Sequence, residues 1–314
     1  MIYRFRLKKE NLKKYIEWLI ENYEVWGPAK VHGETVFTIL KSADEFVDER
    51  TLLGPKELLF PRKENIFSPD SDIKERVVIG VRSCDLRGYA MLDDIFLSGI
   101  YRDEKYEKRR KNTYFINFVC KEPCEYGFCT TFYGPRLKDH FYMQFMDLGE
   151  YYLVEAVDKK LIKDDLFEPA DEKDLELAEK IEKEFYEKMK PLNIENLHKK
   201  LDWNNPLWKE FAERCISCGA CNFACPTCFC FDVYDEGDER YREWDSCILE
   251  GFTRLAGGLN PRPTLDLRLR QRFLHKLKFH YENYGYYLCT GCGRCIEVCP
   301  VKIDIRDVIR SVGK

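Results

Sequence analysis

The first half of the chain contains one helical pattern and several short apolar runs. Leu12, Ile16 and Leu19 recur at helical spacing and predict an early helix. Three runs rich in β-branched and aromatic residues predict strands: ETVFTIL (34–40), VVIGVR (77–82) and TYFINFV (113–119). The apolar stretch 141–157 predicts a hairpin that turns near Gly149. This half of the chain is therefore predicted to mix α and β structure.

A highly charged segment at 171–190, DEKDLELAEKIEKEFYEKMK, separates this half from the rest. Its few apolar residues form one stripe, which predicts a solvent-exposed helix with Glu–Lys pairs on its outer face. After it, the composition shifts to cysteine-rich segments. We therefore place a domain boundary near residue 195, with an α+β domain at 1–195 and a mainly α-helical domain at 196–314.

Composition narrows the classes of function. The 314 residues are 45% hydrophobic and 34% charged with a net charge of −4, which disfavours nucleic acid as a partner. The N-terminal 23 residues lack the apolar core of a signal peptide, and no apolar run reaches the length of a membrane span. We therefore expect a cytoplasmic protein without direct membrane contact. The excess of Lys and Glu is typical of a thermophile.

The cysteines occur in groups. Fifteen cysteines in a reducing compartment are not expected to form disulfides, and their clustering indicates metal or redox centres. Two runs share the spacing C-x2-C-x2-C-x3-C-P: the first is Cys215, Cys218, Cys221 and Cys225, and the second is Cys289, Cys292, Cys295 and Cys299. This is the bacterial ferredoxin spacing, in which the fourth cysteine of each run binds the other cluster.

The spacing therefore predicts two [4Fe-4S] clusters in a dicluster ferredoxin-like domain. The first would be held by Cys215, Cys218, Cys221 and Cys299, and the second by Cys289, Cys292, Cys295 and Cys225. Zinc also uses C-x2-C pairs, but zinc sites present two pairs rather than two runs of four that each end in proline. We therefore favour iron–sulfur clusters.

Four more cysteines lie in the first half, immediately after two predicted strands. They are Cys84 in GVRSCDLRG, and Cys120, Cys124 and Cys129 in FVCKEPCEYGFCTT. Loops after two strands converge if the strands are neighbours in the sheet, so these four cysteines are a candidate third [4Fe-4S] site. The alternative is that they are separate free thiols, which pack like small apolar residues.

Two further features remain after the ferredoxin pattern is assigned. Cys228, Cys230 and Cys247 exceed what the two clusters need, and we expect them to be buried beside the clusters without acting as ligands. A basic stretch at 268–278 is interpreted mainly as a solvated helix face. Docking of an acidic partner and electrostatic tuning of a cluster are its alternatives.

The motifs resemble one family across most of the chain. GVRSCDLRG, CPTCFCFDVYD, REWDSC, AGGLNPRP and CTGCGRCIEVCPVKIDI are similar to stretches in the β subunits of archaeal NAD(P)-linked [NiFe] hydrogenases, the sulfhydrogenases. The same family includes the corresponding iron–sulfur subunits of anaerobic sulfite reductases. The family places a cysteine two residues before Cys129, where this chain has Gly127, and Cys124 is the substitute ligand.

The resemblance implies an electron-transfer subunit without catalytic residues of its own. Its expected partners are a flavin and NAD(P)H-binding subunit and a [NiFe] hydrogenase or other redox catalytic subunit. The residues agree, since no G-x-G-x-x-G or phosphate-binding loop indicates NAD or FAD binding by this chain. The alternatives are the iron–sulfur subunit of an anaerobic sulfite or sulfur reductase, and a sulfur-reducing enzyme that uses its extra cysteines.

Overall fold

The computed structural model describes residues 2–68 and 73–312, and its elements fall into two units. The first unit comprises Met1–Leu59, Asp70–Cys124 and Tyr133–Lys190, and the second comprises Phe60–Pro69, Glu125–Phe132 and Pro191–Lys314. The two short segments that belong to the second unit had no counterpart in the sequence prediction. The predicted boundary near residue 195 itself stays a prediction.

The strands form two sheets. They are β1 (Tyr3–Lys8), β2 (Glu24–Val31), β3 (Glu34–Ile39), β4 (Lys63–Asn65), β5 (Arg76–Val81), β6 (Thr113–Phe118), β7 (Met143–Asp147), β8 (Tyr151–Ala156), β9 (Phe167–Pro169), β10 (Phe231–Glu236) and β11 (Glu239–Trp244). The first unit has an eight-stranded sheet in the order β3-β2-β5-β6-β7-β8-β1-β9, and the second has a three-stranded sheet in the order β10-β11-β4.

Parallel pairing at the centre of the large sheet matters most for the site. β5 pairs in parallel with β2 and with β6, and β6 pairs in parallel with β7. Val77, Val78 and Ile79 of β5 are fully buried, as expected for a central strand that is covered on both faces. The carboxyl ends of β5, β6 and β7 consequently lie at one edge of this sheet.

The helices complete both units. In the first unit they are α1 (Leu12–Asn22), α2 (Ser83–Leu97), α3 (Glu104–Lys111) and α4 (Glu172–Lys188). In the second unit they are α5 (Leu197–Lys200), α6 (Leu207–Arg214), α7 (Ala220–Phe223), α8 (Leu265–Leu274), α9 (His280–Tyr284), α10 (Arg294–Glu297) and α11 (Ile305–Ser311). A π-helical turn, His275–Phe279, joins α8 to α9.

Aromatic packing between α6 and α8 holds the core of the second unit. The rings of Trp208 and Phe273 stack with their centroids 5.8 Å apart, and Phe211 meets Phe273 at 5.6 Å. All three side chains are buried. Such pairs each contribute about 0.5–1.5 kcal/mol beyond the free energy of burying their apolar surface. They therefore stabilise the packing of α8 against α6.

The predicted elements of the first half are confirmed. α1, β3, β5 and β6 lie on the predicted segments, and β7 and β8 form the predicted antiparallel hairpin. The charged segment forms α4, whose Asp171 makes a capping box with Asp174. Sequence reasoning missed β1, β2 and α2. Within the described residues, no helix is long and apolar enough to cross a membrane.

Candidate metal centres

The two cysteine runs of the second unit adopt the same local conformation. Gly219 has a φ of 72° and precedes α7, and Gly293 has a φ of 75° and precedes α10. Both are in the left-handed region that glycine adopts without strain. Each four-residue helix is followed, after one further residue, by a Cys-Pro pair, and the two helices pack against each other. The spacing thus gives two equivalent turns.

The first predicted set of thiols surrounds one cavity. A space of about 490 Å³ is lined by Cys215, Cys218, Cys221 and Cys299. Cys295 also reaches its wall, and the remainder is largely apolar. Burial raises the pKa of the Cys215 and Cys221 thiols above their ordinary value. Thiolates at this position therefore need a positively charged partner such as bound iron.

The second predicted set also comes together. Burial raises the pKa of the Cys289 thiol to about 12, and that of Cys295 is raised well above its ordinary value. The neighbouring thiols of Cys292 and Cys225 add to both shifts. Cys225 therefore lies among the cysteines of the other run, although 63 residues separate it from Cys289.

Two buried hydrogen-bond donors close to these thiols have no acceptor in the described part of the chain. Arg272 Nη1 belongs to a side chain that lines the first cavity, and Thr290 Oγ1 follows Cys289 directly. An unsatisfied buried donor costs about 1–3 kcal/mol. Cluster sulfides and thiolates accept such hydrogen bonds. The thiols and unpaired donors together therefore fit an iron–sulfur cluster at each set.

These thiol sets differ from a site for one ion. In residues 2–68 and 73–312, no group of three or more His, Cys, Asp or Glu side chains is arranged to hold a metal ion. A cubane cluster binds each thiolate to a different iron atom, so its four ligands stand apart from one another.

The three surplus cysteines lie beside the two sets. Cys230 and Cys247 are hydrogen-bonded to each other, and this bond lowers the pKa of Cys247 to about 6. Asn222 Nδ2 also donates to Cys247 Sγ at 3.1 Å, and Cys228 is hydrogen-bonded to Cys225. Cys247 is buried as predicted, whereas Cys228 and Cys230 are only half-buried. That none of the three is a ligand stays a prediction.

The basic stretch on α8 differs from its main interpretation. Leu269, Phe273 and Leu277 are buried as expected. Arg268, Arg272 and Lys276, however, are also buried, so the solvated-face interpretation is wrong for these three residues. Their four-residue spacing places them along one side of the helix, which is the sequence signal that could have revealed them.

Three of the four cysteines predicted for a third centre meet in the first unit. Because β5 and β6 are parallel, the first turn of α2, which carries Cys84, and the loop that carries Cys120 lie at the same edge of the sheet. The Cys120 and Cys124 thiols are hydrogen-bonded, and Cys84 is close enough to affect the pKa of Cys120. A pocket of about 250 Å³ opens beside Cys120 and Cys124.

A buried arginine accompanies these thiols. Arg82 is 7% exposed and pairs with Asp48 at 2.7 Å, while its charge also acts on Cys120 and Cys84. Arg82 Nε is buried and has no acceptor in the described residues. The donor set again fits a cluster. Cys129 belongs to the second unit, so its role as the fourth ligand stays a prediction.

Gly293 provides a test of how closely the second run is packed. A Cβ atom there would lie 2.3 Å from the carbonyl oxygen of Tyr126, whereas at Gly257 (φ 79°) no atom of the described residues lies within 4 Å of that position. We expect Gly257→Ala to cost about 1–2 kcal/mol, from left-handed strain alone. Gly293→Ala should cost clearly more and lower the cluster content, because the backbone must also move. Thermal unfolding and iron content would measure the difference, and equal losses would contradict it.

Comparison with known proteins gives the family. A family model described as "4Fe-4S dicluster domain" matches residues 214–303. Over 333 aligned residues the chain is 34% identical to sulfhydrogenase 2 subunit beta of Pyrococcus furiosus. The alignment covers 98% of this chain and 97% of that protein. The chain belongs to the sulfhydrogenase β-subunit family. This confirms the resemblance that the motifs indicated.

A second protein similar to this member of the sulfhydrogenase β-subunit family is also a redox subunit. The chain is 25% identical over 137 residues to F420-dependent formate dehydrogenase subunit beta of Methanocaldococcus jannaschii, covering 43% of this chain and 29% of that protein. Both relatives are subunits of larger oxidoreductases by name. With its dicluster domain, the chain is an iron–sulfur electron-transfer subunit.

Proposed function

We propose that the chain passes single electrons through its clusters between a redox catalytic subunit and a partner that handles a nicotinamide cofactor and flavin. The observation that carries this proposal is the pair of equivalent cysteine turns, whose helices α7 and α10 pack against each other. Bound [4Fe-4S] clusters would supply one-electron chemistry at these positions. The residues of the chain hold the clusters and limit contact with water.

The proposed ligands follow the crossed arrangement. Cys215, Cys218, Cys221 and Cys299 hold the first cluster, and Cys289, Cys292, Cys295 and Cys225 hold the second. The shared cavity supports the first set, and the mutual proximity of the thiols supports the second. We also propose that this second unit is a mainly helical, ferredoxin-like domain.

Exposure suggests which cluster exchanges electrons with a partner. Cys218 is exposed, and the neighbouring Ile216 is 62% exposed. Cys225 of the second set is buried. Since electron transfer requires close approach, we propose that the first cluster faces a partner subunit and the second lies further inside.

A third cluster in the first unit extends the proposed relay. Cys84, Cys120 and Cys124 are its proposed ligands, and Arg82 would supply a positive charge beside it. The fourth ligand, Cys129, rests on the sequence prediction. The carboxyl ends of parallel strands are a common location for cofactors in α/β sheets, which supports a centre at this edge.

Iron content tests the number of clusters. We expect about twelve iron atoms and about twelve acid-labile sulfides per chain after anaerobic purification or reconstitution. Cys120→Ala should lower both by about four, because one cluster is lost. Cys228→Ala, which removes a half-buried thiol that is not a proposed ligand, should leave both unchanged. About eight iron atoms in the wild type would contradict the third cluster.

The partners proposed are a [NiFe] hydrogenase or other redox catalytic subunit, and a flavin subunit that reacts with NAD(P)H. The family relationship supports this choice, since the Pyrococcus relative is a sulfhydrogenase subunit. The purified chain should accept electrons from dithionite and pass them to a flavin partner. Reduction of sulfite or polysulfide by the isolated chain, supplied through a dithionite-fed dye, would contradict a purely electron-transferring role.

A second candidate is a sulfur-reducing activity of the chain itself. Its support is the small pocket lined by Cys228, Cys230 and Cys247, in which the hydrogen bond from Cys230 lowers the pKa of Cys247 to about 6. A thiolate of this kind can attack sulfur–sulfur bonds. Alkylation of the intact, cluster-loaded chain distinguishes the two: fast labelling of these thiols would favour the enzyme, and protection favours the relay.

A further inference from the structure

Three buried cations follow one another along one side of the helix that carries the basic stretch. Arg268, Arg272 and Lys276 lie four residues apart and are 6%, 3% and 3% exposed. Burying a charge is costly unless an opposite charge or several hydrogen bonds compensate it. Each of the three therefore needs an explanation for its position.

Arg268 is fully accounted for by the backbone. Its guanidinium donates to the carbonyl oxygens of Ile248, Arg262 and Pro263 at 2.8–3.2 Å. These bonds fasten the loop before α8 to the helix. Arg268 therefore has a structural role.

Arg272 and Lys276 point instead at the cysteine runs. Arg272 Nη2 donates to the carbonyl oxygen of Cys221 at 3.1 Å, and its Nη1 is buried without an acceptor among the described residues. Lys276 Nζ lies 3.3 Å from Cys225 Sγ and donates to Thr227 Oγ1 at 2.8 Å and to the carbonyl oxygen of Leu288 at 3.2 Å. Arg272 thus contacts Cys221 of the first set, and Lys276 contacts Cys225, which belongs to the second set.

No carboxylate of the described part of the chain compensates either charge. Within the described ranges, neither Arg272 nor Lys276 makes an ion pair with an Asp or Glu side chain. The groups that remain nearby are cysteine sulfurs: Arg272 faces Cys221, Cys225 and Cys295, among others. Cysteines bind a cluster as thiolates. A cluster with four thiolates carries a net negative charge, which is the counter-charge that this pair of cations fits.

The helix itself is modified where Lys276 lies. The N–H of His280 donates to the carbonyl oxygen of His275, so one turn has the wider π-helical pattern. π-Helical turns inside α-helices are rare and occur frequently at functional sites. Here the turn carries Lys276, which favours a role at the clusters over a purely structural one.

We propose that Arg272 and Lys276 are positioning residues that hold fixed positive charge between the two clusters and raise their reduction potentials. This inference rests on the proposed cluster assignment. Reduction adds one electron, and so one negative charge, to a cluster, and a buried cation nearby stabilises that added charge. Lys276 acts mainly on the second cluster through Cys225, and Arg272 acts on both.

The test is a redox titration of the intact, cluster-loaded chain, followed by electron paramagnetic resonance. Lys276→Met should lower the ratio of reduced to oxidised second cluster at least tenfold at a fixed applied potential, equivalent to about 59 mV for one electron. The first cluster should change less. Lys276→Arg, which keeps the charge, should restore most of the ratio.

Matched controls lie on the same helix. Lys278 Nζ donates to the carbonyl oxygen of Leu201, and the Arg270 guanidinium lies 3.8 Å from the ring centre of Trp203. Lys278→Met and Arg270→Met each remove one positive charge from a position that does not contact the cysteines. They should leave the ratio of reduced to oxidised form unchanged for both clusters. Arg272→Met should lower both ratios.

The outcomes separate this inference from the proposed function. Equal shifts in Lys276→Met and Lys278→Met, or no shift in either, would overturn the inference. If Lys276→Met loses its cluster, Lys276→Gln retains a hydrogen-bond donor and is titrated instead, and loss of the cluster from both variants would show a structural role. A wild-type chain with fewer than about eight iron atoms would contradict the proposed function itself.

Discussion

Replacing Cys225 with alanine is expected to remove the second cluster and leave the first intact. The variant should keep one fewer cluster, losing about four iron atoms per chain. Of the two ferredoxin-type clusters, the one that survives should match, in spectrum and potential, the one that survives in Cys292→Ala. Cys299→Ala should likewise match Cys221→Ala. Electron transfer through the chain should stop in all four variants, because each interrupts the relay.

Grouping the variants by their surviving cluster is what tests the crossed assignment. If each run held its own cluster, Cys225→Ala would group with Cys221→Ala, and Cys299→Ala with Cys292→Ala. Because the Cys228 thiol is hydrogen-bonded to Cys225, it is a candidate substitute ligand. The double variant Cys225→Ala/Cys228→Ala removes that route and should behave like Cys225→Ala.

Arg136→Met should destabilise the first unit by about 3–5 kcal/mol, because it removes the positive charge that compensates the buried Glu155 carboxylate. Arg136 donates twice to Glu155, at 2.8 and 3.0 Å, and the two residues are only 6% and 4% exposed. Gln144 also donates to the same carboxylate at 2.9 Å. Urea unfolding followed by circular dichroism would measure the loss.

Arg4→Met is the matched control for this variant. Arg4 also contacts Glu155, at 3.3 Å, but its side chain is 43% exposed. Its loss should cost less than about 1 kcal/mol, because water screens the exposed charge. Similar losses in the two arginine variants would contradict the view that burial makes the Arg136 contact strong.

The Arg136–Glu155 pair should also depend on pH. Burial alone would raise the pKa of Glu155, but hydrogen bonds from Arg136 hold it below its ordinary value of 4.5. Because the pKa of Glu155 is lower in the folded chain than in the unfolded chain, the pair stabilises the fold at pH values above the unfolded pKa. That contribution is lost as the pH falls below about 4.5. The difference in the free energy of unfolding between wild type and Arg136→Met should therefore become smaller as the pH is lowered.

Sequence alone specified the features that depend on local spacing. The distances between Cys215, Cys218 and Cys221 along the chain fix the turn before α7, and the same spacing at Cys289 fixes the turn before α10. The β-branched and aromatic runs likewise predicted β5 and β6. Neighbours along the chain determine such conformations, so the sequence carries them directly.

The tertiary structure decided which distant residues meet. Parallel pairing of β5 with β6 brings Cys84 near Cys120, and α8 with the π-helical turn after it directs Arg272 and Lys276 toward the cysteines. A charged residue on an amphipathic helix is ordinarily solvated. The four-residue spacing places these two cations on one side of the helix, but it does not identify the cysteines that they meet. Whether a cation is buried depends on the partner that it reaches across the fold, and only the packed chain supplies that partner.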